Sequence, residues 1–274
     1  HQENGGHGIA VLSGLREATG TYYKVVDSDD WLDASALSTM LSILRGFEER
    51  EMGVDLFISN YVYEKVYEDK RTTIRALPRK KVFTWDKIGY FRPDQNLLMH
   101  SLTYRTEVVR AANLPLPAHT FYVDNIYAYV PLPLCKKMYY ADIDLYRYFI
   151  GREGQSVNEA TMVRRLDQQF RITRIMMNAY HLYRDVPESR LASYMMGYFT
   201  MMMAVCSVFS KLSEDPEMKQ ECKKLWAELK EYDERMYRHA RCGILGIGTN
   251  LPTKAGEKTS VALYRAASKI FKFN

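Results

Sequence analysis

The run Asp27-Ser28-Asp29-Asp30 places three carboxylates within four residues, directly after Val25-Val26 and before Trp31-Leu32. On an extended chain alternate side chains share a face, so Asp27 and Asp29 are expected to point the same way from the C-terminal end of a strand. Open α/β sheets bind ligands at such strand ends. Two clustered carboxylates there suit a hard divalent cation, Mg²⁺ or Mn²⁺, with coordination positions left for phosphate oxygens. The plainer reading of the same residues is a solvated acidic turn before a helix, whose dipole favours negative charge near its start. An EF-hand loop is excluded, because Trp31 and Leu32 stand where it needs a ligand and a glycine.

Other residues with chemical potential are scattered. Asp124 opens a helical pattern and reads as a helix-start carboxylate on local grounds alone. His100 follows the apolar run Leu97-Leu98-Met99, the setting either of a half-buried structural histidine or of one lining a ligand site. Arg152, Gln155 and Ser156 form a polar segment in which the guanidinium suits bidentate contact with phosphate oxygens. The glycines of Gly243-Ile244-Leu245-Gly246-Ile247-Gly248 do not make a phosphate loop, since no strand feeds them and no lysine follows at the required spacing. Cys135, Cys206, Cys222 and Cys242 are far apart, which fits free thiols in a reducing cytosol and argues against zinc.

The elements that must position these groups fall into two regions. Through residue 158, short β-rich runs alternate with helical ones, the pattern of an α/β sheet layered by helices; 159–274 is helical almost throughout. A helix is expected to stop at Gly20, and Thr21 to Val26 reads as a buried strand. Asp33 caps a helix carrying Leu37, Met40, Leu41, Leu44 and Phe47, and Asp55 to Val62 is a second strand, with a hairpin near Glu68-Asp69. Helical stretches are expected near Trp85 to Tyr90, Thr106 to Asn113 and Asp124 to Tyr129, and a strand over Lys137 to Tyr148. The second region shows helical patterns over Met162 to Tyr183 and Arg190 to Lys211, then a charged helix begun by Asp215-Pro216 with Cys222, Leu225, Trp226, Leu229 and Met236 in one stripe. Leu191 to Ser210 carries no charge and is long enough to span a bilayer. Its serines, tyrosines, threonine and five methionines point instead to a buried core or homo-oligomer helix.

The chain has 274 residues, 47% hydrophobic and 26% charged, which excludes a disordered tail or a small disulfide scaffold. Its net charge of +5 is uneven: 238–274 holds seven basic residues and one acidic, Glu257, leaving a near-neutral body. That distribution argues against nucleic-acid binding by the whole chain and for an anionic partner at the end. Over 259–274, Leu263, Ala267, Ile270 and Phe271 face one side of a helix and Arg265, Lys269 and Lys272 the other. This is the pattern of a helix lying on an anionic membrane surface, or of a surface helix packing its apolar side on the domain.

The stretch Asn4-Gly5-Gly6-His7-Gly8, Gly14, Ala18-Thr19-Gly20 and Asp27-Ser28-Asp29-Asp30-Trp31-Leu32 resembles the family-2 glycosyltransferases of the GT-A fold. Phe121-Tyr122-Val123-Asp124-Asn125 resembles that family's later acidic motif, and Tyr146 through Val157 the closing segment of bacterial cell-surface polysaccharide members. The resemblance covers about the first 160 residues. It implies a GT-A-like (Rossmann-like) mixed sheet over 1–158 followed by the helical region, and an inverting, metal-dependent transfer of sugar from a nucleotide-sugar donor to a hydroxyl of a glycan or lipid-linked acceptor. In that reading Asp29 and Asp27 hold Mg²⁺ or Mn²⁺; Asn4, Gly5, Gly6, Asp27, Ser28, Asp29 and Arg152 contact the donor. Asp124 is the base, and His100, Gln155 and Ser156 face acceptor or diphosphate. The expected place is the cytoplasm, at the inner face of the membrane.

The sequence departs from the family at three points. Val11-Leu12 stand where an Arg-Asn pair is common, and Val123-Asp124 keeps only the second carboxylate of the usual acidic pair. The chain opens on His1 where the family has its first strands, so it reads as a piece of a longer protein that binds donor poorly alone. The alternative these departures suggest is a noncatalytic nucleotide-sugar or glycan-binding scaffold of the same fold.

Overall fold

The computed structural model describes residues 3–65, 70–72, 74–92, 95–150 and 159–271, and the chain divides into two units, His1–Glu153 and Gly154–Asn274. The division lies within the segment where the composition changes. The first unit is mixed α/β and the second all-helical, as the sequence pattern implies.

Two long strands organise the first unit: β3 (Leu56–Lys65) and β7 (Met138–Ile150), paired in parallel. They share a seven-stranded sheet with β1 (Tyr22–Tyr23), β2 (Trp31–Leu32), β4 (Lys70–Thr72), β5 (Val82–Phe83) and β6 (Leu102–Arg105). The main order is β1-β6-β3-β7-β2, with β4 beside β3 and β5 beside β7, and all these other pairs are antiparallel. The β3–β7 ladder is irregular at its middle: Ile58 opposes Tyr140 but Tyr61 opposes Tyr146. The bulged β7 chain bends there. Asn60, fully buried, holds the irregularity, donating to Asp142 Oδ1 (2.8 Å) and Asp144 Oδ1 (3.0 Å) and accepting from the Tyr140 hydroxyl (2.6 Å).

Helix α1 (His7–Glu17) and α2 (Ala34–Glu48) flank the acidic turn. Asp33 caps α2 as expected, accepting from Ala36 N at 2.8 Å. The inward face of α2, Ala36, Met40, Leu44 and Phe47, packs on Val54, Phe57, Ala141 and Leu145 of the sheet layer. Helices α3 (Thr106–Ala111) and α4 (Asp124–Tyr129) follow β6, the latter with the bounds the sequence suggests.

Three local expectations are corrected. Helix α1 stops at Glu17, not Gly20, because the Arg110 guanidinium takes the carbonyls of Leu15 (2.9 Å) and Ala18 (2.6 Å) that another turn would use. The expected strand over Thr21 to Val26 shrinks to Tyr22–Tyr23, since the Lys24 ammonium instead donates to the carbonyls of His100 (2.8 Å) and Leu102 (3.3 Å) and Val26 is exposed. Near Trp85 there is only a single 3-10 turn, Trp85–Lys87, whose indole N–H is fixed by the carbonyls of Cys135 (2.8 Å) and Leu132 (3.1 Å). The hairpin turn near Glu68-Asp69 lies outside the described residues, though β3 and β4 pair antiparallel on either side of it.

The second unit contains α5 (Glu159–Arg164), α6 (Leu166–Ala179), α7 (Leu182–Asp185), α8 (Ser189–Leu212), α9 (Pro216–Tyr232), α10 (Glu234–Cys242), α11 (Ile244–Thr249) and α12 (Thr253–Phe271). The pattern over Met162 to Tyr183 is therefore three helices: the backbone leaves the helical region at Arg165 and at Tyr180, and Asp185 accepts from His181 N to start the third. Met236 belongs to α10, because Asp233 ends α9 and caps the next helix through Met236 N (2.9 Å). Helix α8 is the one described helix long and apolar enough to cross a membrane, yet 78% of that window is buried inside the protein. Two of its polar groups have protein partners that lipid would not supply: Cys206 meets Thr173 of α6 at 3.3 Å, and Ser207 accepts from the Trp226 indole of α9 at 2.9 Å. The tail helix forms: Ser260 is buried, Tyr264 meets Phe209 at 5.5 Å and Ala267 is half-buried, while Leu263 of the expected apolar face points outward; the side chains of Lys269, Ile270, Phe271 and Lys272 lie outside the described ones.

Asn60→Ala removes both donors from the bulge and leaves the buried Tyr140 hydroxyl without its acceptor, so it is expected to cost about 2–3 kcal/mol. Urea unfolding of the full chain followed by circular dichroism measures this.

Candidate functional site

The acidic run folds as a turn, Asp30 N donating to the Asp27 carbonyl at 3.1 Å, and not as an extended strand. Alternation of side chains therefore does not apply, and Asp27 is brought together with Asp30 and His100, their ligand atoms all within 4.8 Å of one another. Ser28 and Asp29 are exposed and outside this group. Tyr146 of β7 fixes the turn from below. Its hydroxyl accepts from Asp27 N (3.2 Å) and donates to Asp30 Oδ2 (2.6 Å), while Phe149 N donates to Asp30 Oδ1 (3.0 Å).

His7, the first residue of α1, reaches Asp27 Oδ1 with Nε2 at 3.3 Å. It is placed there by the glycine loop before it. Gly6 has φ +79 and donates to Asn4 Oδ1 (3.0 Å), and a side chain at that position would press on the backbone of His119. Gly5 accepts from His119 N at 2.8 Å, which ties the loop to the segment leading into α4. In that segment Tyr122 is held at φ +66, the left-handed region that non-glycine residues rarely occupy and that clusters at functional sites. Asp124 follows two residues later, with the Asn125 amide donating to the Tyr122 carbonyl at 3.0 Å.

His100 lies in the 3-10 turn Met99–Ser101, wedged between the rings of Tyr148 (4.5 Å) and Tyr146 (4.6 Å). It is only 7% exposed, and neither ring nitrogen has a hydrogen-bond partner. Its Nε2 is 4.0 Å from Asp27 Oδ2, but burial pushes the imidazole down to about 4, so the contact is between a carboxylate and a neutral ring.

The charges divide cleanly. The hydrogen bond to Asp27 raises His7 above its ordinary value against the effect of burial. Burial works against charge on Asp27 too, but His7 prevails and holds that carboxyl below its ordinary value. Asp124 goes the other way: burial, with a contribution from the Asp27 charge, pushes it up to about 6, only partly offset by His7. Lys24 is pushed down to about 7 by burial of its ammonium, which lies 5.3 Å from the Tyr146 ring centre. Two carboxylates with separated proton affinities thus lie in the field of one histidine.

Of the residues singled out from sequence, Asp27 and His100 meet in this site and Asp124 lies within electrostatic reach of Asp27 and His7, with Asn4, Gly5 and Gly6 forming its rim through His7. Arg152, Gln155 and Ser156 lie outside the described residues. The site also uses His7, Lys24, Asp30, Tyr146 and Tyr148, which sequence reasoning did not assign. The i,i+2 spacing of Tyr146 and Tyr148 on one strand was a legible signal for two rings on the same face; nothing local marks Lys24. Comparison with protein-family models and with curated proteins finds no match.

A titration of the six histidines by NMR in metal-free protein tests the electrostatics. His7 is expected above 6.5 and His100 near 4, and Asp27→Asn to lower His7. The stabilisation that His7 lends the fold is complete below its ordinary value and is lost as the pH rises through the raised one.

Proposed function

We propose that the first unit is the catalytic part of an inverting, metal-dependent glycosyltransferase. The observation that carries this reading is that buried Asp124, pushed up to about 6, lies in the electrostatic field of Asp27 and His7, which are themselves 3.3 Å apart. A carboxylate with that affinity is half deprotonated just below neutrality, near the optimum for taking a proton from an acceptor hydroxyl. Deprotonation by Asp124 lets that oxygen attack the anomeric carbon from the face opposite the departing nucleotide, inverting the configuration. The resemblance noted above supplies the substrate class: a nucleotide-sugar donor and a glycan or lipid-linked acceptor, in surface polysaccharide synthesis at the cytoplasmic side of a membrane.

The residues present fit a divalent cation. His100 offers a buried ring nitrogen with no other partner, beside carboxylate oxygens of Asp27 and Asp30. An imidazole within an oxygen set favours Mn²⁺ over Mg²⁺. When bound, such an ion neutralises the charge developing on a leaving diphosphate. His7 orients Asp27, Tyr146 orients both Asp27 and Asp30, and the start of α1, with no acidic residue in its first turn, presents N–H groups to an anion. Asp29, exposed on the turn, is left to contact the donor.

A noncatalytic glycan- or nucleotide-sugar-binding scaffold is the second reading. It is favoured by Val123, buried beside Gly8 where an acidic residue would otherwise precede Asp124.

Release of nucleoside diphosphate from a panel of UDP-, GDP- and dTDP-sugars separates the two. Asp124→Asn is expected to lower kcat roughly 10²–10⁴-fold with donor KM little changed, and wild-type activity to rise with pH through about 6. Full activity in Asp124→Asn removes Asp124 from the role of base, and no turnover of any donor by a full-length protein with Asp27 and Asp124 intact supports the scaffold. Mn²⁺ is expected to broaden the His100 resonances, an effect that Asp27→Ala abolishes and Asp29→Ala retains.

A further inference from the structure

We propose that the second unit carries a membrane-docking surface, built from α11 and the outward side of α12, whose occupant is an anionic lipid bilayer. Short helix α11 turns its apolar side chains away from the protein. Ile244 is 96% exposed, Ile247 51% and Leu245 42%, and Leu263 of α12 is 53% exposed. Large aliphatic side chains left this open on neighbouring elements mark an interaction surface.

Their outward direction is imposed by the structure around them. Gly246 is the buried residue of α11, and a methyl group there would run into the carbonyl of Ala240 in α10. Only glycine allows this approach, and with Gly246 facing in, its neighbours face out. The backbone of α11 is then tied down: Asn250 donates to the Gly246 carbonyl (2.9 Å), Arg241 to the Asn250 carbonyl (3.3 Å), and Lys211 to that of Thr249. The aliphatic groups are held out on a fixed platform.

Charge selects the occupant. From residue 238 on, the sequence has seven basic residues and one acidic. The acidic one, Glu257, is engaged by Lys219 at 2.7 Å, so it does not offset the excess. Arg238 and Arg265 are likewise engaged, by Glu234 (2.7 Å) and Glu159 (3.9 Å), so among the described side chains of α12 the exposed cations that remain are Lys254 and Lys258, on the helix that also exposes Leu263 and packs against α11. Aliphatic side chains that enter the acyl boundary, flanked by cations that meet headgroup phosphates, are the two components of interfacial binding. This surface places the first of those components on α11, outside the tail segment singled out from sequence, and it stands independently of what the first unit catalyses.

The test uses the full chain, with vesicles of phosphatidylcholine alone or with a quarter phosphatidylglycerol. Cys242, next to the platform, is the exposed cysteine of the four and carries an environment-sensitive dye; the other three are buried. Co-sedimentation with the anionic vesicles, a blue shift of the dye and weakening by salt are expected. The exposed pair Ile244→Glu/Ile247→Glu should lower vesicle affinity about tenfold or more, and Lys254→Gln/Lys258→Gln roughly thirtyfold, at the loss expected per basic residue near a lipid surface. Unchanged circular dichroism and Tm confirm that the variants fold. Wild-type affinity in either variant overturns the proposal. So does a wild-type dimer in light scattering that Ile244→Glu/Ile247→Glu dissociates while no vesicle binding is seen, since the occupant is then a second copy.

Discussion

The hydroxyl of Tyr146 is the joint on which the candidate site depends. It accepts from the backbone of Asp27 and donates to the side chain of Asp30, so a single group on β7 sets both the shape of the acidic turn and the direction of one of its carboxylates. Phe149 N completes the grip on Asp30. With the turn held this way Asp27 is directed at His7 and His100, and Asp29 is turned out to solvent. The position of Tyr146 depends in turn on the bulge around Asn60, which shifts the register between β3 and β7 before the tyrosine is reached.

Around this joint the first unit assembles groups that are far apart in sequence and opposed in charge behaviour. The glycine loop delivers His7, the turn after β1 delivers Asp27, the 3-10 turn before β6 delivers His100, and the strained Tyr122 backbone leads into Asp124. Burial acts on all of them, and the outcome differs because of partners. Asp27 has a histidine within reach of a hydrogen bond and keeps its charge; Asp124 has a weaker offset and holds its proton to about 6. The same burial thus leaves two residues of one type with proton affinities moved in opposite directions.

The second unit follows a different logic. Its longest helix has the length and hydropathy of a membrane span, but polar contacts to Thr173 and Trp226 and the surrounding helices make it a core helix. The apolar surface that the unit leaves open is instead on α11, held outward because Gly246 must face in.

Much of the fold was legible in the sequence because it rests on local rules. The Asp33 and Asp215 caps, the apolar face of α2, the limits of α4 and the change from α/β to helical composition all follow from side-chain periodicity and capping, which involve neighbours in the chain. Asp27, Asp124 and His100 were recognisable by residue type and context. What the sequence by itself could not determine was which groups would meet. The alternation rule paired Asp27 with Asp29, whereas a hydrogen bond from a tyrosine well over a hundred residues away made the segment a turn and paired Asp27 with Asp30 and His100. The lengths of β1 and α1 were decided likewise by Lys24 and Arg110 taking distant carbonyls. Local sequence determined the elements and their buried faces, because those depend on backbone preference and water. Tertiary structure decided the site, because proton affinities and ligand sets are set by long-range hydrogen bonds and by the exclusion of solvent.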